Sequence, residues 1–174
     1  MPKYYTGIGS RETPEDIASL IKQTASFLAK HKYVLRSGGA DGSDTYFEVG
    51  CDNENGLKEI YLPWQFFNNN QSNLFLYNLK ESKNKAEEIA SKFHPVWNKL
   101  SQGVKKLHTR NVYQVLGKDL KTPSKFVVCY CPIEKGEWKG GTAQALKISK
   151  FYDIKIFNLF LEEDVQRIKK VLDK

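Results

Sequence analysis

Strand-like and helix-like segments alternate along the whole chain, and this alternation constrains its fold more than any other feature. The strongest strand signal is the unbroken apolar run of residues 126–131, which suits a strand covered on both faces. Ile17, Leu20 and Ile21 instead recur at intervals of three and four, the spacing of one buried helical stripe. Parallel strands need crossover connections, which helices usually provide. The pattern therefore predicts an α/β protein.

The predicted architecture is a Rossmann-like, doubly wound, mainly parallel sheet of about five strands with helices on both faces, in one domain over residues 1–174. Strands are predicted at residues 3–8, 33–36, 58–62, 125–131 and 154–159. Helices are predicted after Thr13, which is expected to be an N-cap, over residues 43–49, 86–93 and 100–116, after Thr142, and at the end of the chain. Residues 64–73 show no period and are predicted to form a long surface loop or lid.

Composition excludes several classes of protein. The chain has 27 Lys and Arg against 20 Asp and Glu, a net charge of +7, and its 40% hydrophobic residues are enough for a core. Its longest apolar run is far short of the roughly 20 residues that span a bilayer, and its first residues lack the apolar stretch of a signal peptide. We expect a cytoplasmic protein with no membrane partner. The three histidines are scattered and the three cysteines are expected to be buried free thiols, so no metal site is predicted.

Three glycine-rich turns directly follow predicted strands and mark the candidate site: the first at residues 7–11, the second at 37–42 and the third at 140–142. Such turns meet at one edge of a parallel sheet, where glycine lets a ligand approach the backbone and helix N-termini favour anions. The sequence therefore predicts a site for a phosphorylated nucleoside. Candidate binding residues in the turns are Gly7, Gly9, Ser10, Ser37, Gly38, Gly39, Ala40, Gly140, Gly141 and Thr142.

Arginine placement adds an independent signal. Only four of the 27 basic residues are arginines, and in such a chain a retained arginine indicates a site that needs a planar, forked donor. Arg11 is the last residue of the first turn and is expected to contact phosphate. Arg36 precedes the second turn and either contacts the ligand or pairs with a neighbouring carboxylate. Asp41 and Asp44 flank the same turn: we expect one to cap the following helix and the other to contact a ligand hydroxyl, without choosing between them.

As a set and in this order, residues 5–11, 36–42 and 140–142 resemble the motifs of the SLOG superfamily. This group of Rossmann-like nucleotide-binding domains includes the DNA-processing DprA (Smf) proteins and the LOG phosphoribohydrolases. The resemblance covers nearly the whole chain and is greatest to small, single-domain DprA-like members from bacteriophages. It implies Arg110 and Asn111 as further ligand-binding residues, a homodimer through the helices of residues 93–116, and no required cofactor.

The resemblance implies three possible activities. LOG enzymes cleave the N-glycosidic bond of nucleoside monophosphates with an arginine, resembled here by Arg110, and a glutamate whose position is taken by Ala145. We therefore lean against catalysis, unless Glu134 or Glu137 substitutes for that glutamate. DprA proteins bind single-stranded DNA and load a recombinase, but the lysines here alternate with acidic residues, which is typical of solvated helix faces. Other SLOG domains bind NAD- or ADP-ribose-related signals.

The third activity is the one we favour from the sequence. We expect an ADP-ribose-like nucleotide to be bound, and a bacteriophage member could sequester such a signal in the host cytoplasm and blunt host defence. Phosphate-binding turns and arginines are present, and the catalytic acid of the LOG pattern is replaced. Trp64, Phe66 and Phe67 could stack on the base, or could instead belong to the core or to a dimer interface.

Overall fold

The centre of the molecule is a six-stranded sheet in which every neighbouring pair is parallel. The structure, a computed structural model, describes residues 1–174. The strands are β1 (Lys3–Gly9), β2 (Tyr33–Ser37), β3 (Lys58–Leu62), β4 (Leu74–Phe75), β5 (Phe126–Tyr130), β6 (Ile133–Glu134), β7 (Glu137–Trp138) and β8 (Lys155–Asn158). The order across the sheet is β4-β3-β2-β1-β5-β8, while β6 and β7 form a separate antiparallel hairpin.

Six helices cover the two faces of this sheet. They are α1 (Glu15–Lys30), α2 (Ser43–Asp52), α3 (Lys80–Lys92), α4 (Gln102–Leu116), α5 (Thr142–Phe151) and α6 (Glu162–Leu172). One core lies between the sheet and α3, α4 and α5, and the other between the sheet and α1, α2 and α6. Val127 and Cys129 face the first core and Val128 the second, which explains the unbroken apolar run in β5. The predicted doubly wound α/β fold is confirmed.

The structure adds elements that the sequence pattern did not predict. All five predicted strands are present, but β4 extends the sheet at one edge by pairing Phe75 with Leu62. Two-residue strands such as β4, β6 and β7 are too short to produce a periodic signal. The predicted N-cap of α1 is wrong: Pro14 occupies that position, and the Thr13 hydroxyl instead donates to the Ser10 carbonyl at 2.9 Å.

The strand order places a topological switch point between β1 and β5. From β1 the chain moves outward through β2 and β3 to β4, and then returns to the other side of β1 with β5 and β8. In sheets of this type ligands bind outside the carboxyl ends of the strands at that point.

Other features of the chain are consistent with a compact α/β core. Cys51, Cys129 and Cys131 are buried free thiols, as predicted. No group of His, Cys, Asp and Glu side chains is arranged to hold a metal ion. None of the helices combines the length and the apolar character needed to cross a membrane.

Candidate functional site

A cleft of about 450 Å³ lies at the carboxyl ends of β1 and β5. All three glycine-rich turns contribute to its wall, together with one side of α4. Among the predicted site residues it brings together Gly9, Ser10, Arg11, Ala40, Asp44, Arg110, Asn111, Gly140, Gly141 and Thr142. Residues from distant parts of the chain therefore meet at the switch point.

The remaining candidates lie outside the wall of the cleft. Gly7 and Gly38 are glycines because of internal packing: a Cβ at Gly7 would lie 2.6 Å from the Phe47 ring, and one at Gly38 would overlap the side chains of Arg110 and Gln114. The others outside the wall are Arg36, Ser37, Gly39 and Asp41, together with Glu134 and Glu137 on the exposed β6–β7 hairpin.

Arg36 is buried in the protein interior with only 2% of its surface exposed. Its guanidinium donates to Glu59 Oε1 at 3.1 Å and to the Thr122 carbonyl at 2.6 Å, and it stacks on the Tyr4 ring at 3.8 Å. Of the two roles left open for this residue, the structure assigns pairing with a carboxylate.

Arg110 joins the second turn to α4 while lining the cleft. Its Nη1 donates to the carbonyls of Gly38 and Tyr61, its Nε donates to Asn111 Oδ1 at 3.1 Å, and its guanidinium lies 5.5 Å from the centre of the Phe67 ring. Burial lowers the pKa of Arg110 to about 10, so it remains a cation at neutral pH. Most of its donors are already used, and its main contribution is a fixed positive charge in the wall.

Asp44 joins the first and second turns. Its two carboxylate oxygens accept hydrogen bonds from the amides of Gly9 and Ala40, each at 3.3 Å. Burial raises the pKa of Asp44 to about 6, although Arg110 and the two amides oppose the shift. Asp41 is exposed and accepts from Asn68 Nδ2 at 3.0 Å. Neither side chain caps α2, so the predicted capping role is wrong.

Backbone amides at the cleft divide into occupied and free donors. The amides of Gly9 and Ala40 donate to Asp44, and the Ser10 amide donates to the Tyr130 carbonyl at 2.8 Å. In contrast, free donors remain in the third turn, which lies at the N-terminus of α5. Arg11 in the first turn also has a free amide. Among the amides without an intramolecular partner are those of Arg11, Gly140, Gly141 and Thr142.

Open space surrounds the third turn. A Cβ built at Gly140 or Gly141 meets no atom within 4 Å, in contrast to the crowded glycines of the first two turns. Free N–H groups at the start of a helix attract anions because the helix dipole adds to their partial positive charge. The third turn is therefore the part of the cleft best suited to contact a phosphate group.

Charged and titratable side chains complete the cleft. Arg11 and Lys139 are exposed and form no ion pair, whereas Glu12 and the buried Asp44 supply carboxylates. His108 donates from Nδ1 to Gln144 Oε1 at 3.1 Å, and burial lowers its pKa.

Sequence reasoning missed four polar residues of this wall: Glu12, His108, Gln114 and Lys139. Helical spacing would have predicted His108 and Gln114, because positions 104, 107, 108, 111 and 114 form one stripe of α4. The positions of Glu12 and Lys139 depend on the conformations of their loops, which a periodic sequence pattern does not predict.

Fold and cleft together define a Rossmann-like α/β protein with a cleft at its switch point. Two solved structures share this fold. DNA processing protein A from Streptococcus pneumoniae matches 91% of this chain at 15% identity and a TM-score of 0.53. DNA processing protein A from Helicobacter pylori, which binds single-stranded DNA, matches 90% of it at 20% identity and a TM-score of 0.54.

The likeness to these two proteins establishes a shared fold. This chain spans 50% of the Streptococcus pneumoniae chain and 65% of the Helicobacter pylori chain. No protein-family model matches the chain, and neither does any curated protein.

Proposed function

We propose that this chain binds single-stranded DNA and that the cleft receives a backbone phosphate of the strand. The observation that carries the proposal is the group of four free amides, at Arg11 and residues 140–142, beside the unpaired cations Arg11 and Lys139. Backbone amides, helix N-termini and basic side chains are the groups with which proteins usually contact DNA phosphates. The shared fold with a protein that binds single-stranded DNA favours this ligand over the nucleotide signal expected from the sequence.

A phosphorylated nucleoside, such as an ADP-ribose-related molecule, is the second candidate. It is favoured by the shape of the site, since about 450 Å³ falls within the range of small-ligand pockets. The narrower hypothesis of a bacteriophage protein that sequesters a host signalling nucleotide belongs to this candidate.

Fluorescence anisotropy with a labelled oligothymidylate, measured at several salt concentrations, tests the proposal. We expect binding to weaken steadily as salt rises, because phosphate contacts release counterions. Arg11→Ala should weaken binding by about 1.5–3 kcal/mol, the contribution of a charged hydrogen bond. Arg167→Ala is the matched control, because Arg167 is paired with Glu163 and Asp164 on α6.

Equal affinity of the Arg11→Ala and Arg167→Ala variants for the oligonucleotide would contradict DNA binding at the cleft. Competition with ADP-ribose distinguishes the two candidates. Saturable binding of ADP-ribose that is lost in Arg11→Ala, without any binding of oligothymidylate, would favour the second.

We propose binding without turnover. Ala145 lines the cleft at the position where LOG enzymes carry a glutamate, and its methyl group can neither donate nor accept a proton. Both oxygens of Asp44 already accept backbone amides. Incubation with nucleoside monophosphates should therefore release no free base. Sustained release that disappears in Arg110→Ala would contradict this part of the proposal.

A further inference from the structure

We infer that Trp64 and Phe66 form a stacking platform for bases of the DNA strand whose phosphate occupies the cleft. The inference rests on the proposed function and adds a contact outside the cleft itself. We call residues 64–73, which connect β3 to β4, the aromatic loop.

The aromatic loop is fixed against the second turn, of which Ala40 lines the cleft. Asn68 Nδ2 donates to the Gly39 carbonyl and to Asp41 Oδ1, both at 3.0 Å, and Asn70 Nδ2 donates to Glu48 Oε1 at 2.8 Å. Because these bonds hold the loop in place before any ligand arrives, binding would require little additional ordering.

Two aromatic side chains, Phe67 and Trp64, connect the cleft wall to the surface, and the same loop exposes Phe66. The half-buried Phe67 ring lies 5.5 Å from the guanidinium of Arg110, a residue of the cleft wall, and the Trp64 ring meets Phe67 edge-on at 5.4 Å. Trp64 is 42% exposed and Phe66 is 55% exposed. The loop therefore presents aromatic surface to solvent and is linked through Phe67 to Arg110 in the cleft wall.

Packing within the chain accounts for Phe67 but not for Phe66. Phe66 adopts a left-handed backbone conformation, with φ of 62° and ψ of 18°, which is unfavourable for a bulky side chain. Strained residues of this kind concentrate at functional sites. Here the strained conformation exposes an aromatic ring instead of burying it.

Nucleobases suit this surface better than other apolar groups in a DNA strand. Aromatic side chains stack on the faces of all four bases, so the contact needs no particular sequence. Each stacked base typically contributes roughly 5- to 150-fold in affinity. Because Phe67 links the platform to Arg110 in the cleft wall, bases of the strand whose phosphate occupies the cleft are its occupant.

The test compares two oligonucleotides of equal length, oligothymidylate and a strand with abasic sites throughout. In the double variant Trp64→Ala, Phe66→Ala we expect affinity for oligothymidylate to fall by at least roughly fivefold, while affinity for the abasic strand stays at the wild-type value. The conservative double variant Trp64→Phe, Phe66→Tyr should restore most of the lost affinity. Phe151→Ala, which removes an exposed aromatic ring at the far end of α5, should change neither affinity.

Four outcomes would overturn the inference. Wild-type affinity of the double alanine variant for oligothymidylate, with the Arg11 dependence intact, would reject the platform and leave the proposed function standing. An equal loss of affinity for both strands would show that the loop acts through the fold or the backbone. A change of oligomeric state in the double variant, measured by size-exclusion chromatography, would show that a second copy of the chain covers the platform. A wild-type chain that binds neither strand would reject the proposed function as well.

Discussion

Arg11 and Arg36 carry the same charge, yet their surroundings give them different roles. Arg36 is enclosed by Glu59, Thr122 and the Tyr4 ring, whereas Arg11 is exposed at the cleft with no acidic partner. A buried guanidinium with satisfied donors stabilises the fold, and an exposed one beside free amides is available to an anion. At the scale of the residue, the donors that remain free distinguish an arginine that stabilises the fold from one that can contact a ligand.

Replacing Arg36 therefore tests a structural role. Arg36→Met keeps most of the side-chain volume but leaves Glu59 without its cation and the Thr122 carbonyl without its donor. We expect the free energy of unfolding to fall by about 3 kcal/mol, measured by urea denaturation. Oligothymidylate affinity should be unchanged under conditions where the variant is folded. Full stability with lost affinity would place Arg36 in the binding site instead.

The protonation of Asp44 should make binding depend on pH. Because burial raises its pKa to about 6, lowering the pH from neutral through this value removes a negative charge from the cleft wall. His108, whose pKa burial lowers, also gains a positive charge on acidification. Both changes favour an anion, and oligothymidylate itself carries no group that titrates here. We expect affinity at pH 5 to exceed that at pH 7.5 by roughly tenfold, the effect of about 1.4 kcal/mol.

Asp44→Asn separates the two titrations. The variant is permanently neutral at this position, so its affinity should already be higher at pH 7.5 and should rise less on acidification. Anisotropy titrations across this pH range give both profiles. A wild-type profile that is flat, or one that Asp44→Asn leaves unchanged, would show that this carboxyl does not affect the bound strand.

At the scale of the element, glycines of the second and third turns have different structural roles. Gly38 is required because the side chains of Arg110 and Gln114 occupy the space a Cβ would need. Gly141 has helical backbone angles, with φ of −65°, and open space around it. Gly38 serves the packing of the second turn, whereas Gly141 has open space around it at the start of α5.

Gly141→Ala tests this difference. The methyl group meets no protein atom and suits the backbone angles, so stability should be retained or rise by about 0.4–1 kcal/mol. The same group adds bulk to a residue of the cleft wall between the free amides of Gly140 and Thr142, so we expect oligothymidylate affinity to fall. Gly103→Ala in α4 is the matched control, since a Cβ there also meets nothing, and it should leave affinity unchanged. Thermal melts and anisotropy measure the two effects.

At the same scale, the longer elements were predictable from sequence and the shortest were not. Residues of β5 could be assigned to a fully covered strand because six consecutive apolar residues leave no solvent face. The edge strand β4 has only two residues and depends on its pairing with Leu62, which is a tertiary contact. Threonine is favoured at helix N-caps, but the Thr13 hydroxyl donates to the Ser10 carbonyl instead.

The whole molecule explains why turns so far apart in sequence form one site. The first turn follows β1 and the third lies beyond β5, and these two strands are neighbours across the switch point. Glycine turns and the alternation of elements were sufficient to predict that convergence. Which amides would remain free was not predictable, because it depends on the position of Asp44 and on the Tyr130 carbonyl.

An NMR titration of the ¹⁵N-labelled chain with tetrathymidylate tests the proposed site most directly. We expect the largest amide shifts at Arg11, Gly140, Gly141 and Thr142, because these free N–H groups are the ones that would donate to phosphate. Shifts confined to the lysine-bearing surfaces of α3 and α6, with these four amides unmoved at saturation, would contradict binding in the cleft.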